Sequence, residues 1–277
     1  MIRPRRSILF MPGSNARALQ KARDLSCDVV ALDLEDAVAP QDKELARKMV
    51  CEAVAAKAFG GKEVAIRVNP LASPFGHADL EAVAKLDLDA VILPKVSGAA
   101  EVGAEHRMIP SSIAIWAMIE SPKGLMHLDQ IAAAGAAALL LGSNDLMKEM
   151  RATPMQGREN LMLAMSMVVT AARANGVSAI DGTFNAITDQ AGFAASCEQG
   201  RAFGFDGKTL IHPSQIESAN RIFAPTPEEL EDAKAIIAAF ARNPGKSVIA
   251  LDGRMLELLH AEEAARLLAL DEAIQSR

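Results

Sequence analysis

Short apolar runs, each ending in a polar or charged residue, alternate along this chain with alanine-rich stretches of helical period. Eight runs are predicted strands: Ser7–Phe10, Val29–Leu34, Glu63–Val68, Ala90–Pro94, Ile113–Ile119, Ala138–Leu141, Ser178–Ile180 and Lys208–Ile211. Between them Ala16–Leu25, Pro40–Ala58, Ala78–Leu86, Leu125–Ala133, Arg158–Ala174 and Asp189–Phe203 are predicted helices. Strands that alternate with helices form a parallel sheet covered on both faces, which is why these runs are apolar throughout. Eight strand–helix units in roughly 215 residues suit a closed (β/α)8 TIM barrel, an α/β fold that typically takes ~250 residues. The alternative is an open doubly-wound sheet, but the first strand lacks a GxGxxG turn. The barrel is the predicted fold, over residues 1–224.

The rhythm changes after Phe223. In Pro225-Thr226-Pro227-Glu228-Glu229 a threonine cap, a proline in the first helical position and acids in the first turn predict a helix start. That helix is expected to reach Arg242, where Asn243-Pro244-Gly245 breaks it. A short apolar stretch over 247–251, an Asp252-Gly253 turn and a final helix from about Ala261 complete a C-terminal helical extension, residues 225–277. It is surplus to an eight-unit barrel and is expected to pack beneath it or on a neighbouring subunit.

Half of the residues are hydrophobic and 23% are charged, the balance of a globular chain with a sizeable core. A net charge of -6 gives nucleic acid no general attraction. Cys27, Cys51 and Cys197 are scattered, so neither a disulfide framework nor a zinc site is implied. Apolar runs such as 132–141 fall short of the ~20 residues a membrane helix needs. No signal-peptide core follows the N-terminal arginines. The expectation is a soluble, cytoplasmic protein without nucleic-acid or membrane partners.

In a barrel of this type the chemistry lies where the strands end. Asp33, Glu35, Asp36, Arg67, Lys95, Glu120, Asn144, Asp145, Asp181 and His212 would ring that mouth. Buried charges need a partner, a ligand or a metal. The plain reading is a salt-bridge network closing the barrel top. Glu120 and Asp145 end neighbouring strands five and six, and two carboxylates with waters and substrate oxygens are how Mg²⁺ is commonly held. Pairing of the two with Arg67 and Lys95 is the competing reading.

Arg67 suits capture of a carboxylate or of a developing enolate oxygen, or else an ion pair with Glu120. The N-terminal segment is locally basic, with Arg3, Arg5, Arg6, Arg17, Lys21 and Arg23 ahead of the first acid, Asp24. Arg17 and Lys21 share a helix face that suits a phosphorylated ligand, or simply a solvated surface. His212 lines a ligand channel or caps the next helix through Ser214. His77, His106 and His127 read as incidental.

The motifs Leu9-Phe10-Met11-Pro12-Gly13-Ser14-Asn15, Leu32-Asp33-Leu34-Glu35-Asp36-Ala37-Val38 and Ile66-Arg67-Val68-Asn69 occur in order. Leu93-Pro94-Lys95-Val96, Met118-Ile119-Glu120, Leu141-Gly142-Ser143-Asn144-Asp145-Leu146 and Gly207-Lys208-Thr209-Leu210-Ile211-His212-Pro213 follow. With these, the chain resembles the citrate lyase beta subunit and malyl-CoA lyase family over nearly its whole length. The resemblance implies a barrel that is commonly a homotrimer, Mg²⁺ on Glu120 and Asp145, and Arg67 on the substrate carbonyl or carboxylate. It implies coenzyme A phosphates near Phe10, Arg17 and Lys21, with Ile211 and His212 along the thioester arm.

One departure stands out. Where the family typically has Gly-x-Met-x-Asp-x-Pro, with a catalytic Asp that reaches a neighbouring subunit's site, this chain has Gly253-Arg254-Met255-Leu256-Glu257-Leu258-Leu259-His260. Glu257 can do the same acid–base work from a carboxylate shifted by about an ångström. The expected function is a Mg²⁺-dependent carbon–carbon lyase acting on a 3-hydroxyacyl-CoA such as malyl-CoA or citramalyl-CoA, giving an oxo acid and an acyl-CoA. The alternatives are a malyl-CoA thioesterase on the same scaffold, a citrate lyase complex subunit acting on an acyl-carrier protein, and a CoA-independent pyruvate aldolase.

Overall fold

The computed structural model describes residues 3–276. They fall into two compact units, one of residues 5–221 and one of residues 3–4 together with those from Ile222 onward. The first is a closed parallel barrel of eight strands. These are β1 Ser7–Pro12, β2 Val29–Asp33, β3 Glu63–Arg67, β4 Ala90–Leu93, β5 Ala114–Ile119, β6 Ala136–Leu141, β7 Ser178–Asp181 and β8 Gly207–Leu210. β1 pairs with both β2 and β8, which closes the sheet and leaves no edge.

Alternate residues point into the barrel, and their sizes are matched across it. Ala31, Ala65, Ala90 and Ala138 leave room for Trp116, Met118, Ile92 and Leu140 in one buried cluster. The bottom is closed by Arg5, whose guanidinium lies 4.7 Å from the Trp116 ring centroid. It grips both oxygens of Glu63 (2.8 and 2.7 Å) and Ser178 Oγ (2.9 Å). Arg6 holds both oxygens of Asp28 in the same way, at 2.8 and 2.9 Å. Gly207 has to be glycine there, since a Cβ would lie 1.9 Å from the Arg5 carbonyl oxygen. Arg5 and Arg6 are therefore structural, and the basic N-terminal segment is not one phosphate site.

All eight predicted strands form, each within two residues at either end. The helices differ more. The stretch 40–58 opens as a 3-10 turn and becomes the helix Lys43–Ala55, and 125–133 is two helices, Pro122–Met126 and Leu128–Ala133, broken at His127. Helices Ala99–His106 and Ser143–Glu149 were not expected, while Ile216–Ile222 is the helix expected after His212. His127 and His106 are not idle either, as their ring nitrogens meet the backbone oxygens of Ser97 (2.9 Å) and Gly135 (3.2 Å).

In the C-terminal unit, Thr226 caps the helix Pro227–Ala241 in a reciprocal box with Glu229. The chain then forms an antiparallel hairpin, β9 Val248–Leu251 and β10 Arg254–Glu257, and ends in the helix Leu258–Gln275. The extension is thus not purely helical, and its last helix starts before Ala261. Ala233, Ile236 and Ala239 pack with Ile249, Leu256 and Ala264 as its own small core. Among the described residues no helix is long and apolar enough to cross a membrane.

Candidate active site

The mouth of the barrel opens into a cavity of about 360 Å³. Phe10, Arg67, Met118, Glu120, Asp145 and Ile211 line it, with Asp33, Asp36, Asn144, Asn185 and backbone-rich segments between them. Four lining side chains are carboxylates and one is cationic, so the cavity is acidic.

Arg67 ends β3 on the inward face. Its Nε and Nη2 donate to the two oxygens of Asp33 (2.7 and 2.6 Å), and Nη1 lies 3.1 Å from Glu35 Oε2. The Phe10 ring stacks at 5.1 Å. Burial works against the guanidinium charge, but Asp33 and Glu35 hold its pKa above the ordinary range. Arg67 thus pairs with Asp33 and Glu35, not with Glu120 as the alternative had it, because Asp33 sits opposite it in the β2–β3 register. Lys95 completes this network through Glu35 Oε1 at 2.5 Å. The salt-bridge reading of Asp33 and Lys95 is what the structure contains.

Glu120 follows β5 and is buried. Burial, with help from Glu35 and Asp145, pushes its carboxyl up to about 8. Its Oε1 accepts the Lys95 backbone N–H at 2.6 Å, and Lys95 takes up a left-handed backbone, φ 56°, at that point. A non-glycine residue held there costs on the order of 1 kcal/mol, a sign of a constrained site. Gly142 leaves the opposite side of Glu120 open, since a Cβ there would lie 2.7 Å from Glu120 Oε2. Asp145 does not end β6 but lies in the first turn of the helix Ser143–Glu149, still on the cavity wall.

This donor set fits Mg²⁺. It is all oxygen, a cation would restore the ionised form of Glu120, and two protein carboxylates leave room for water and substrate. Among the described residues no three His, Cys, Asp or Glu side chains form a protein-only metal cage.

Five other predicted residues are not among those that line the cavity. Asp181 faces outward from β7 and is buried between Lys208 (2.6 Å) and Arg158 (2.8 Å), because the side chains of a strand alternate and its neighbour Ile180 takes the inward place. His212 is a cap, its Nδ1 accepting from the Ser214 backbone N–H at 3.2 Å, and it is not part of the cavity lining. Glu257 belongs to the C-terminal unit and precedes the last helix, its N–H donating to His260 Nδ1 at 3.0 Å. Arg17 and Lys21 are exposed on the short helix Ala16–Lys21, outside the cavity lining. Asn144, expected at the mouth, exchanges amide hydrogen bonds at 2.9 and 3.3 Å with Asn185, which sequence reasoning missed. Asn185 lies in the loop after β7, where no motif pointed to it.

The family model described as HpcH/HpaI aldolase/citrate lyase matches residues 6–213. The chain belongs to this family. A second model, of carbon–carbon bond lyases with the TIM-barrel fold, matches residues 157–272. Among HpcH/HpaI relatives, the (3S)-malyl-CoA thioesterase of Cereibacter sphaeroides (strain KD131 / KCTC 12085) is 42% identical over 98% of this chain and 96% of its own length. The citrate lyase subunit beta of Leuconostoc mesenteroides subsp. cremoris is 33% identical over 98% of this chain and 94% of its own. The solved family structure of CitE from Mycobacterium tuberculosis, in complex with magnesium, acetoacetate and coenzyme A, is 29% identical with a TM-score of 0.77, covering 96% of this chain and 98% of that one.

Proposed function

We propose that this protein hydrolyses a CoA thioester of a short 3-hydroxy dicarboxylic acid, of the (3S)-malyl-CoA type. The observation that carries the reading is the 42% identity to a (3S)-malyl-CoA thioesterase over nearly the full length of both chains. The mouth chemistry agrees with it. Arg67, gripped by Asp33 and Glu35, offers a fixed guanidinium for a carboxylate or carbonyl oxygen of the acyl group. Glu120 and Asp145 hold Mg²⁺, which when bound offsets the acidic wall and polarises substrate oxygens.

Glu257, supplied by a neighbouring subunit of a homo-oligomer, removes a proton from water. The water oxygen adds to the thioester carbonyl, the C–S bond breaks, and the departing thiolate takes that proton back from Glu257, so that coenzyme A leaves as the thiol beside the free hydroxy acid. Arg67 stabilises the negative charge on the carbonyl oxygen, and Arg17 and Lys21 attract the phosphates of coenzyme A.

The second reading is carbon–carbon cleavage, favoured by the citrate lyase beta relatives. Glu257 then takes the proton of the 3-hydroxyl instead of water. The C–C bond breaks to an oxo acid and an acyl-CoA enolate, which takes up a proton. Purified protein is given (3S)-malyl-CoA with Mg²⁺ or with EDTA, and thiol and oxo acid are measured side by side. Hydrolysis predicts thiol and malate with no glyoxylate, and only with Mg²⁺. Glyoxylate without thiol would replace this reading by the second.

A further inference from the structure

The hold on Arg67 begins at a side chain outside the cavity lining. Lys43 opens the helix Lys43–Ala55 and is buried. Its ammonium donates to the backbone oxygens of Leu34 (2.8 Å) and Glu35 (2.6 Å) and to Asn69 Oδ1 (2.8 Å). Three protons meet three neutral acceptors, the condition under which a buried ammonium is tolerated. Burial lowers its pKa, while Asp33, Glu35, Asp79 and Asp36 favour the charged form.

The acceptors belong to the two loops that build the substrate end of the site. Leu34 and Glu35 follow β2, and Asn69 follows β3. With the carbonyls of 34 and 35 on Lys43, the amides of Glu35 and Ala37 bond Asp33 Oδ1 (2.9 Å) and Oδ2 (3.0 Å). Those same oxygens hold Nε and Nη2 of Arg67. Asn69 Nδ2 ties back to the Leu34 oxygen (2.8 Å) and to Asp79 (2.6 Å), and Asp79 pairs with Arg47 (2.7 Å) on the helix that carries Lys43.

We propose that Lys43 is a positioning residue for Arg67: it clamps the loops after β2 and β3 together, so that Asp33 presents a fixed carboxylate and the guanidinium keeps one aim into the cavity. The proposal rests on reading Arg67 as the group that meets the acyl substrate. A lysine that merely covered the barrel wall would have no reason to bridge these two loops.

The test is a double-mutant cycle of Lys43→Met and Arg67→Lys, read as kcat/KM for (3S)-malyl-CoA. Alongside it, the hydrogen exchange of the Arg67 Nε–H is followed by NMR. Lys43→Met is expected to lower kcat/KM by about 10²-fold in the native background, the loss that follows when a binding group shifts by about an ångström. In the Arg67→Lys background the further loss is expected to be about 3-fold or less, because the aim is already gone. The Arg67 Nε proton, bonded to Asp33, is expected to exchange about tenfold faster without Lys43.

Equal losses in both backgrounds, or an unchanged Arg67 Nε–H, would overturn the proposal. If the native chain turns over no malyl-CoA, the functional reading fails, while the Nε–H comparison still decides the role of Lys43. If Lys43→Met does not fold, Asn69→Ala removes one of the three acceptors and is expected to give the same non-additivity with a smaller loss.

Discussion

At the bottom of the barrel Arg5 grips both oxygens of Glu63 against the ring of Trp116, and at the mouth Arg67 grips both oxygens of Asp33 against the ring of Phe10. The two arrangements are nearly the same in kind: a half-buried guanidinium, a buried carboxylate and an aromatic face. Their surroundings differ. Glu63 and Asp28 at the bottom each meet an arginine fork. At the mouth Glu35, Asp36, Glu120 and Asp145 add to Asp33, five carboxylates against three cations, Arg67, Lys95 and, behind the loop after β2, Lys43. Matched pairs serve architecture; a surplus of one sign around a cavity requires a ligand of the other sign.

Removing either arginine separates the two ends. Arg67→Met is expected to lower kcat/KM by about 10²–10³-fold, the range for losing a charge-stabilising donor. Arg5→Met is expected to leave kcat/KM of the folded chain unchanged and to reduce the unfolding free energy by about 3–5 kcal/mol, since it breaks a buried pair. Denaturant melts with steady-state kinetics read both. Equal kinetic losses would mean that the two ends are not divided between stability and function.

A second contrast compares two carboxyls that burial pushes up to about 8, Glu120 at the mouth and Glu105 on the helix Ala99–His106. For such a group the folded value lies above the unfolded one. The stability it contributes is therefore complete below the ordinary carboxylate range and is lost as pH rises toward 8, by at most ~1.4 kcal/mol per pH unit. Glu105→Gln is expected to flatten this slope without changing activity, as followed by melts from pH 5 to 8. Mg²⁺ is expected to offset the part due to Glu120 and none of the part due to Glu105.

The smallest effect is expected at the rim. Arg17→Ala with Lys21→Ala is expected to raise KM for a CoA thioester by about 3–10-fold, with kcat unchanged and the difference shrinking at high salt, because exposed charges are screened. A changed kcat would place these residues closer to the chemistry than the phosphates.

The barrel was legible because strands buried on both faces read as unbroken apolar runs, and none of the eight was missed. The same continuity hid the facing of the side chains beyond those runs, so Asp181 was assigned to the mouth although Ile180 holds the inward place. Glu120 and Arg67 were found because each ends a run on the inward face. Lys43 was invisible, since in Lys43-Glu44-Leu45-Ala46-Arg47-Lys48 it looks like one more charge on a solvated helix. Only the fold brings the loops after β2 and β3 to its ammonium. The hairpin strand Arg254–Glu257 was missed because charged residues at both ends mask a run in which only Leu256 is buried.

The most direct test of the acidic mouth as a cation site is calorimetric titration of Mg²⁺ into the native chain, Asp145→Asn and Glu105→Gln at pH 7. The native chain and Glu105→Gln are expected to bind with proton release, and Asp145→Asn at least about tenfold more weakly. Equal affinity in all three would contradict a cation site there, and would leave the carboxylate surplus at the mouth without the ligand it calls for.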